Sequence, residues 1–245
     1  MCGRYVPPNE AAIERYWRID RRNWPGFIKN GFIMAAFNVA PTTQVPILVQ
    51  AHDGAIELIG ARWGLIPAWW KDDKLPALTF NARSEEAAGK PTWRQSMRSM
   101  RCLMPARGWY EWCESEPVRS ESGRTVRQPY FISDPAQEVI AFAGLWSVWE
   151  RPGASPIISC ALLSREAAPS IAAIHHRMPV VLRPEHYAAW LSSSTSAQEV
   201  EAMVANCEQQ FEGYRVSTKV NNVRNDSEEL LERVAAPLEV GSGTK

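Results

Sequence analysis

Residues 101–164 constrain the fold more than any other part of the chain. "RCLMPARGWYEW", "PYFI", "EVIAFAGLWSVW" and "PIISCALLS" follow one another there, and each reads as a strand. Upstream, "QVPILVQ" and "AIELIGARW" add two more strands across a "HDG" turn. "ESEPVRSESGRT" (114–125) is polar and reads as an exposed loop. Helical patterns fall irregularly between these strands. Asn9 is placed to cap a helix over 10–20 with Ile13, Tyr16 and Trp17 on one face, and 84–100 is helical with a break at Pro91. A short helix is predicted over 166–174, and others over 184–191 and 197–211, the last with Val200, Met203, Val204, Cys207 and Phe211 along one stripe. Many strands on short turns with scattered helices predict an α+β fold rather than a doubly wound sheet.

Composition narrows the function classes. The chain of 245 residues is 45% hydrophobic and 22% charged, the balance of a soluble globular protein. Its 27 basic and 27 acidic residues cancel, so a nucleic-acid partner would need a local patch. No apolar run approaches membrane-spanning length and no signal-peptide pattern opens the chain, so no membrane association is expected. The five cysteines are odd in number and lack C-x-x-C spacing, and the four histidines lack H-E-x-x-H spacing. A disulfide framework, a zinc site and a metal are therefore not expected, and a reducing cytoplasmic setting is. Most of the eleven tryptophans belong in a core, leaving a few to stack on a ligand. The expected organisation is one domain over 2–235 and a flexible tail over 236–245, which ends "GSGTK".

Four stretches carry chemistry. In "MCGRY", removal of Met1 would leave Cys2 with a free α-amine and a thiol on adjacent carbons. Such an amine has a pKa of about 7.7–8.0, is partly neutral near pH 7, and attacks an aldehyde to give an imine. The tethered thiol then closes a five-membered ring with the advantage of an intramolecular reactant. The plain alternative is a small apolar residue near a terminus. In "FNARSEE", Asn81 offers a donor and an acceptor and Arg83 a planar fork for phosphate, or both are ordinary turn residues. In "PARGWYEW", Glu111 sits between Tyr110 and Trp112; burial would raise its pKa and make it a proton carrier, unless strand alternation points it at water. In "AIHHRMPVVL", His175 and His176 can shuttle protons, and on an extended segment they would face opposite ways.

Taken in order, "MCGRY", "FNVAPTT", "WGLIPAWW", "FNARSEE", "RCLMPARGWYEW", "AGLW" and "IHHRMPVVL" resemble the SOS response-associated peptidase (SRAP) domain family over residues 2 to about 235. That resemblance implies a strongly curved, barrel-like, mainly antiparallel β-core with flanking helices. It implies a protein that senses abasic sites in single-stranded DNA and crosslinks them through its terminal cysteine as a thiazolidine. AP lyase activity and peptidase-like removal of Met1 accompany that expectation; no cofactor and no obligate protein partner do. Residue by residue, Cys2 takes the nucleophile's place and Asn81 holds the terminal residue and opened sugar. Glu111 assists proton transfer, and His175 is the acid/base. Arg83, Arg4, Asn38, Trp69, Trp70, Trp112, Ser164 and Arg177 are the expected positions at the DNA channel, with Lys90 and Arg94 as additions to its groove. Two positions depart from the family's pattern: Ser164 where threonine is common, and Arg107 where aspartate is usual. Three alternatives stay open: a class II glutamine-amidotransferase-like thiol amidohydrolase, a thiol peptidase, and a non-covalent single-stranded DNA-binding module.

Overall fold

The computed structural model describes residues 2–19, 36–205 and 210–235. Twelve strands occur among them: β1 (Tyr5–Val6), β2 (Gln44–Gln50), β3 (Ile56–Trp63), β4 (Asn81–Arg83), β5 (Arg101–Ala106), β6 (Gly108–Arg119), β7 (Thr125–Ser133), β8 (Ile140–Trp149), β9 (Ile157–Glu166), β10 (Arg177–Pro179), β11 (Val181–Leu182) and β12 (Glu212–Arg215). The helices are α1 (Glu10–Trp17), α2 (Ser84–Ala87), α3 (Pro91–Ser99), α4 (Tyr187–Leu191) and α5 (Ala197–Ala205). The α+β expectation holds, and the strands explain the barrel. β3 pairs with β2, β2 with β5, β5 with β8 and β8 with β9, all antiparallel; a parallel pairing of β9 with β3 closes the ring. A second sheet runs β1-β6-β7-β12.

Period-two alternation sorts the ring's side chains. Ile47, Val49, Trp63, Cys102, Met104, Phe142, Cys160 and Leu162 pack into one buried cluster with Trp109 and Ile132 of the second sheet. Their neighbours Leu48, Leu103, Ala143, Leu145 and Leu163 face the other way, against Ile13, Trp93, Met97, Trp190, Val200 and Met203 of the helices. Edge-to-face contacts fix the first cluster. Tyr5 meets Trp63 at 5.4 Å and Trp109 meets Phe142 at 5.9 Å, each worth about 0.5–1.5 kcal/mol beyond area burial. Gly108 gives room inside the second sheet: a Cβ there would lie 2.4 Å from the Ile132 carbonyl oxygen of the neighbouring strand β7.

Local signals were accurate at helix starts. Asn9 accepts from the Ala12 N–H at 2.8 Å, and Pro91 opens α3, where its missing N–H costs nothing. Four expectations need correction. The stretch 114–125 is a β-hairpin rather than a loop, because β6 and β7 stay paired out to Arg119 and Thr125 around a short turn. The region 166–174 forms turns rather than a helix. Helix α5 is described over Ala197–Ala205, and Phe211 is not helical, packing against Trp109 in the other cluster; Cys207 and the tail 236–245 lie outside the described residues. On α1, Ile13 is buried but Tyr16 is 40% exposed.

Candidate active site

The second sheet delivers the start of the chain to the ring. β1 pairs with β6 through Tyr5 opposite Trp109, and the Tyr110 N–H donates to the Arg4 carbonyl at 3.0 Å. Continuing that register puts Gly3 opposite Glu111 and brings Cys2 to the edge of the main core, where it is wholly buried. Asn81 arrives from the other sheet. β4 runs parallel to β9 with Asn81 beside Leu162, and the Asn81 Nδ2 donates to the Cys2 carbonyl oxygen at 2.7 Å. The Asn81 Oδ1 is buried with no hydrogen-bond partner, an acceptor left over at the site.

Glu111 is 2% exposed. It shares a strand face with Trp109 and Cys113, which both belong to the main core, so alternation turns it inward rather than to water. Burial pushes its pKa up to about 7. His175 Nε2 lies 3.9 Å from Glu111 Oε2, and burial lowers the imidazole's pKa. Both shifts favour the neutral forms, a protonated Glu111 beside an uncharged His175. His175 Nδ1 lies 3.0 Å from the Arg177 nitrogen and 2.9 Å from the Arg177 carbonyl oxygen, so it accepts from the one or donates to the other according to its tautomer, while Nε2 faces Glu111. Burial, with the Glu111 charge adding to it, pushes the Cys2 thiol well above its ordinary pKa. The two histidine rings stack at 4.5 Å instead of diverging, because a turn rather than a strand carries them; His176 is exposed.

Around this centre the other candidates divide. Arg4 donates to Asn38 Oδ1 and to the Val220 carbonyl, both at 2.8 Å, and lies over the Trp112 ring at 5.9 Å. Asn38 is 5% exposed and gives its amide to the carbonyls of Val220, Asn222 and Asn225. It is a support for Arg4 rather than a surface contact. Trp112 Nε1 donates to Asn221 Oδ1 at 2.6 Å. Ser164 is fully buried and sits behind Arg177, whose Nη2 donates to the Ser164 carbonyl at 2.7 Å; burial takes its hydroxyl out of direct reach of a strand. Trp69 is 49% exposed, and Trp70 is partly covered, its Nε1 donating to the Lys74 carbonyl. Arg83 and Lys90 both pair with Glu86. Arg94 lines a cavity of about 830 Å³ with Arg98, Thr195 and Glu201, a cavity that none of Cys2, Asn81, Glu111 or His175 lines.

Two parts of the site escaped the sequence reading. The segment 217–226 holds Arg4, Asn38 and Trp112 through its carbonyls and Asn221; three asparagines within "VNNVRND" were the available signal. Glu85 and Glu86, next to the Asn81–Arg83 motif, pair with the site's cations.

The fold and site define a class: an α+β protein with a closed β-ring, a buried cysteine at position 2 packed against its core, and an acid–imidazole pair beside that cysteine. The chain belongs to the SOS response associated peptidase (SRAP) family, whose profile matches residues 1–223. It is 33% identical over 237 residues to the abasic site processing protein YoqW of Bacillus subtilis (strain 168), covering 95% of this chain and 99% of that one. It is 30% identical over 278 residues to the abasic site processing protein HMCES of Gallus gallus, covering 98% and 79%. Among solved structures, a protein from Bacteroides thetaiotaomicron superposes with a TM-score of 0.78 at 21% identity, over 96% of this chain and all of that one, which shows a shared fold.

Proposed function

We propose that this protein captures abasic sites in single-stranded DNA as a covalent adduct of Cys2, formed after removal of Met1. The observation that carries the reading is the Asn81–Cys2 hydrogen bond, which holds residue 2 beside the Glu111–His175 pair. The names of YoqW and HMCES, both abasic site processing proteins, support the lesion as substrate.

Hydrolysis of the Met1–Cys2 peptide bond exposes the amine. Glu111 in its protonated form helps open the sugar's hemiacetal to the aldehyde. The amine adds to the aldehyde carbon, and the carbinolamine loses water with His175 moving the proton. The thiol then adds to the C=N bond, its sulfur bonding to carbon and its proton passing to nitrogen. Aldehyde and aminothiol thus give a thiazolidine and one water, with no oxidant or reductant. β-Elimination from the imine would be the AP lyase side reaction. Arg4, Arg83, Arg177 and Lys90 supply sequence-independent phosphate contacts, and Trp69 is available for base stacking.

A thiolate-first amidohydrolase is the weaker reading. It needs a lowered thiol pKa, whereas burial raises that of Cys2. The test is a denaturing gel of the protein with abasic and undamaged oligonucleotides. A band surviving denaturation with the abasic strand alone supports capture. Equal non-covalent binding of both strands with no such band contradicts it.

A further inference from the structure

Three of the cations assigned to the strand are already engaged. Arg177 meets Glu85 as a two-toothed fork, Nη1 to Oε1 at 2.8 Å and Nη2 to Oε2 at 3.0 Å. Its side chain is 13% exposed against 52% for Glu85. Arg83 Nη1 lies 3.6 Å from Glu86 Oε1, and Lys90 pairs with the other oxygen of the same carboxylate. Two carboxylates from α2 therefore mask three cations. Arg4 is different: neutral oxygens of Asn38 and Val220 hold it, and no carboxylate among the described residues lies in ion-pair range.

We propose that Glu85 and Glu86 are specificity-determining residues that act as internal substitutes for DNA phosphates and weaken the protein's hold on undamaged strands. The proposal rests on the DNA-capture reading above. A backbone phosphate reaching Arg177, Arg83 or Lys90 must displace a carboxylate of like charge and similar geometry, so the exchange gains little. An undamaged strand has only this non-covalent attraction and leaves. An abasic strand is kept by its bond to Cys2, which does not depend on those contacts once formed. Discrimination then comes from chemistry, with affinity held low on purpose. Arg4, unmasked and beside the Cys2 segment, remains to place the lesion.

An acid in the first turn of a helix also has a plain structural role, since it complements the helix dipole. Salt dependence separates the two. Freeing a cation for phosphate steepens the slope of log K against log salt by about 0.7 per contact on single strands; loss of a helix-dipole partner does not.

The experiment measures anisotropy of an undamaged single-stranded oligonucleotide across a sodium chloride series. It uses the full chain, its Glu86→Gln variant and the Glu85→Gln, Glu86→Gln pair. Glu86 touches only exposed side chains, so Glu86→Gln keeps the fold even if the double variant does not. The expected result is binding about three- to tenfold tighter in low salt with a steeper slope, the scale of one or two freed ion pairs. Capture of an abasic oligonucleotide also becomes more sensitive to undamaged competitor. Wild-type binding with unchanged affinity and slope in Glu86→Gln overturns this proposal alone. Wild-type protein that binds neither strand at any salt overturns the DNA reading and this proposal with it.

Discussion

The amide of Asn81 donates to the carbonyl oxygen of Cys2 across 2.7 Å, joining strand β4, which pairs with β9 of the ring, to a segment 79 residues earlier. That bond fixes residue 2 through its carbonyl alone; the thiol donates to the Arg4 carbonyl at 3.5 Å, and the nitrogen becomes an amine only when Met1 is removed. Asn81→Asp keeps the shape but sets a carboxylate acceptor against a carbonyl acceptor. We expect it to slow adduct formation by about a hundredfold, the scale of a lost positioning contact, with the circular dichroism spectrum unchanged. A gel time course measures it.

Cys2→Ala separates the amine from the thiol. The variant retains an amine able to form an imine, so borohydride should trap it on abasic DNA. Without reductant the adduct should not survive denaturation. Adducts as durable as the parent's would place the sulfur outside the chemistry.

Glu111 makes stability depend on pH. Its folded pKa of about 7 stands above the ordinary 4.5, so the folded state binds the extra proton. The stability this contributes is fully present below about pH 4.5 and is lost as pH rises through 7. The lost amount is on the order of 3 kcal/mol. Glu111→Gln cannot titrate there, so its stability relative to the parent should rise between pH 5 and pH 8. Urea denaturation at both values measures the change. The same variant should slow capture by about 10²–10⁴-fold, as loss of a general acid does.

Asn38→Ala should act through folding rather than DNA contact. It removes the donor to the carbonyls of Val220, Asn222 and Asn225 and the acceptor for Arg4. At about 1 kcal/mol per net hydrogen bond, the cost is about 2–4 kcal/mol. Limited proteolysis should show new cleavage within 217–226.

The strands and their rough extents were legible because β-branched and aromatic runs announced them, and Asn9 and Pro91 marked helix starts through rules that act within a few residues. The hairpin at 114–125 was not legible: its tip is polar because it projects into water, and only the partner strand shows that both arms stay paired. Phe211 matched a helical stripe by spacing alone, yet it is not helical and packs with Trp109. The candidate site residues were legible as a family pattern more than as chemistry. Nothing in "YEW" says which face the glutamate takes; that follows from β6 placing Glu111 on the same face as Trp109 and Cys113. Asn38 and Ser164 show the reverse limit. Their polarity suggests a surface, but their burial makes them supports for Arg4 and Arg177.

Intact mass of the purified protein after incubation with an abasic oligonucleotide tests the central claim most directly. The account predicts a product equal to the chain without Met1, plus the oligonucleotide, minus one water, with the sugar mapped to residue 2. A fully formed adduct on protein that retains Met1, or a sugar mapped to any other side chain, would contradict it.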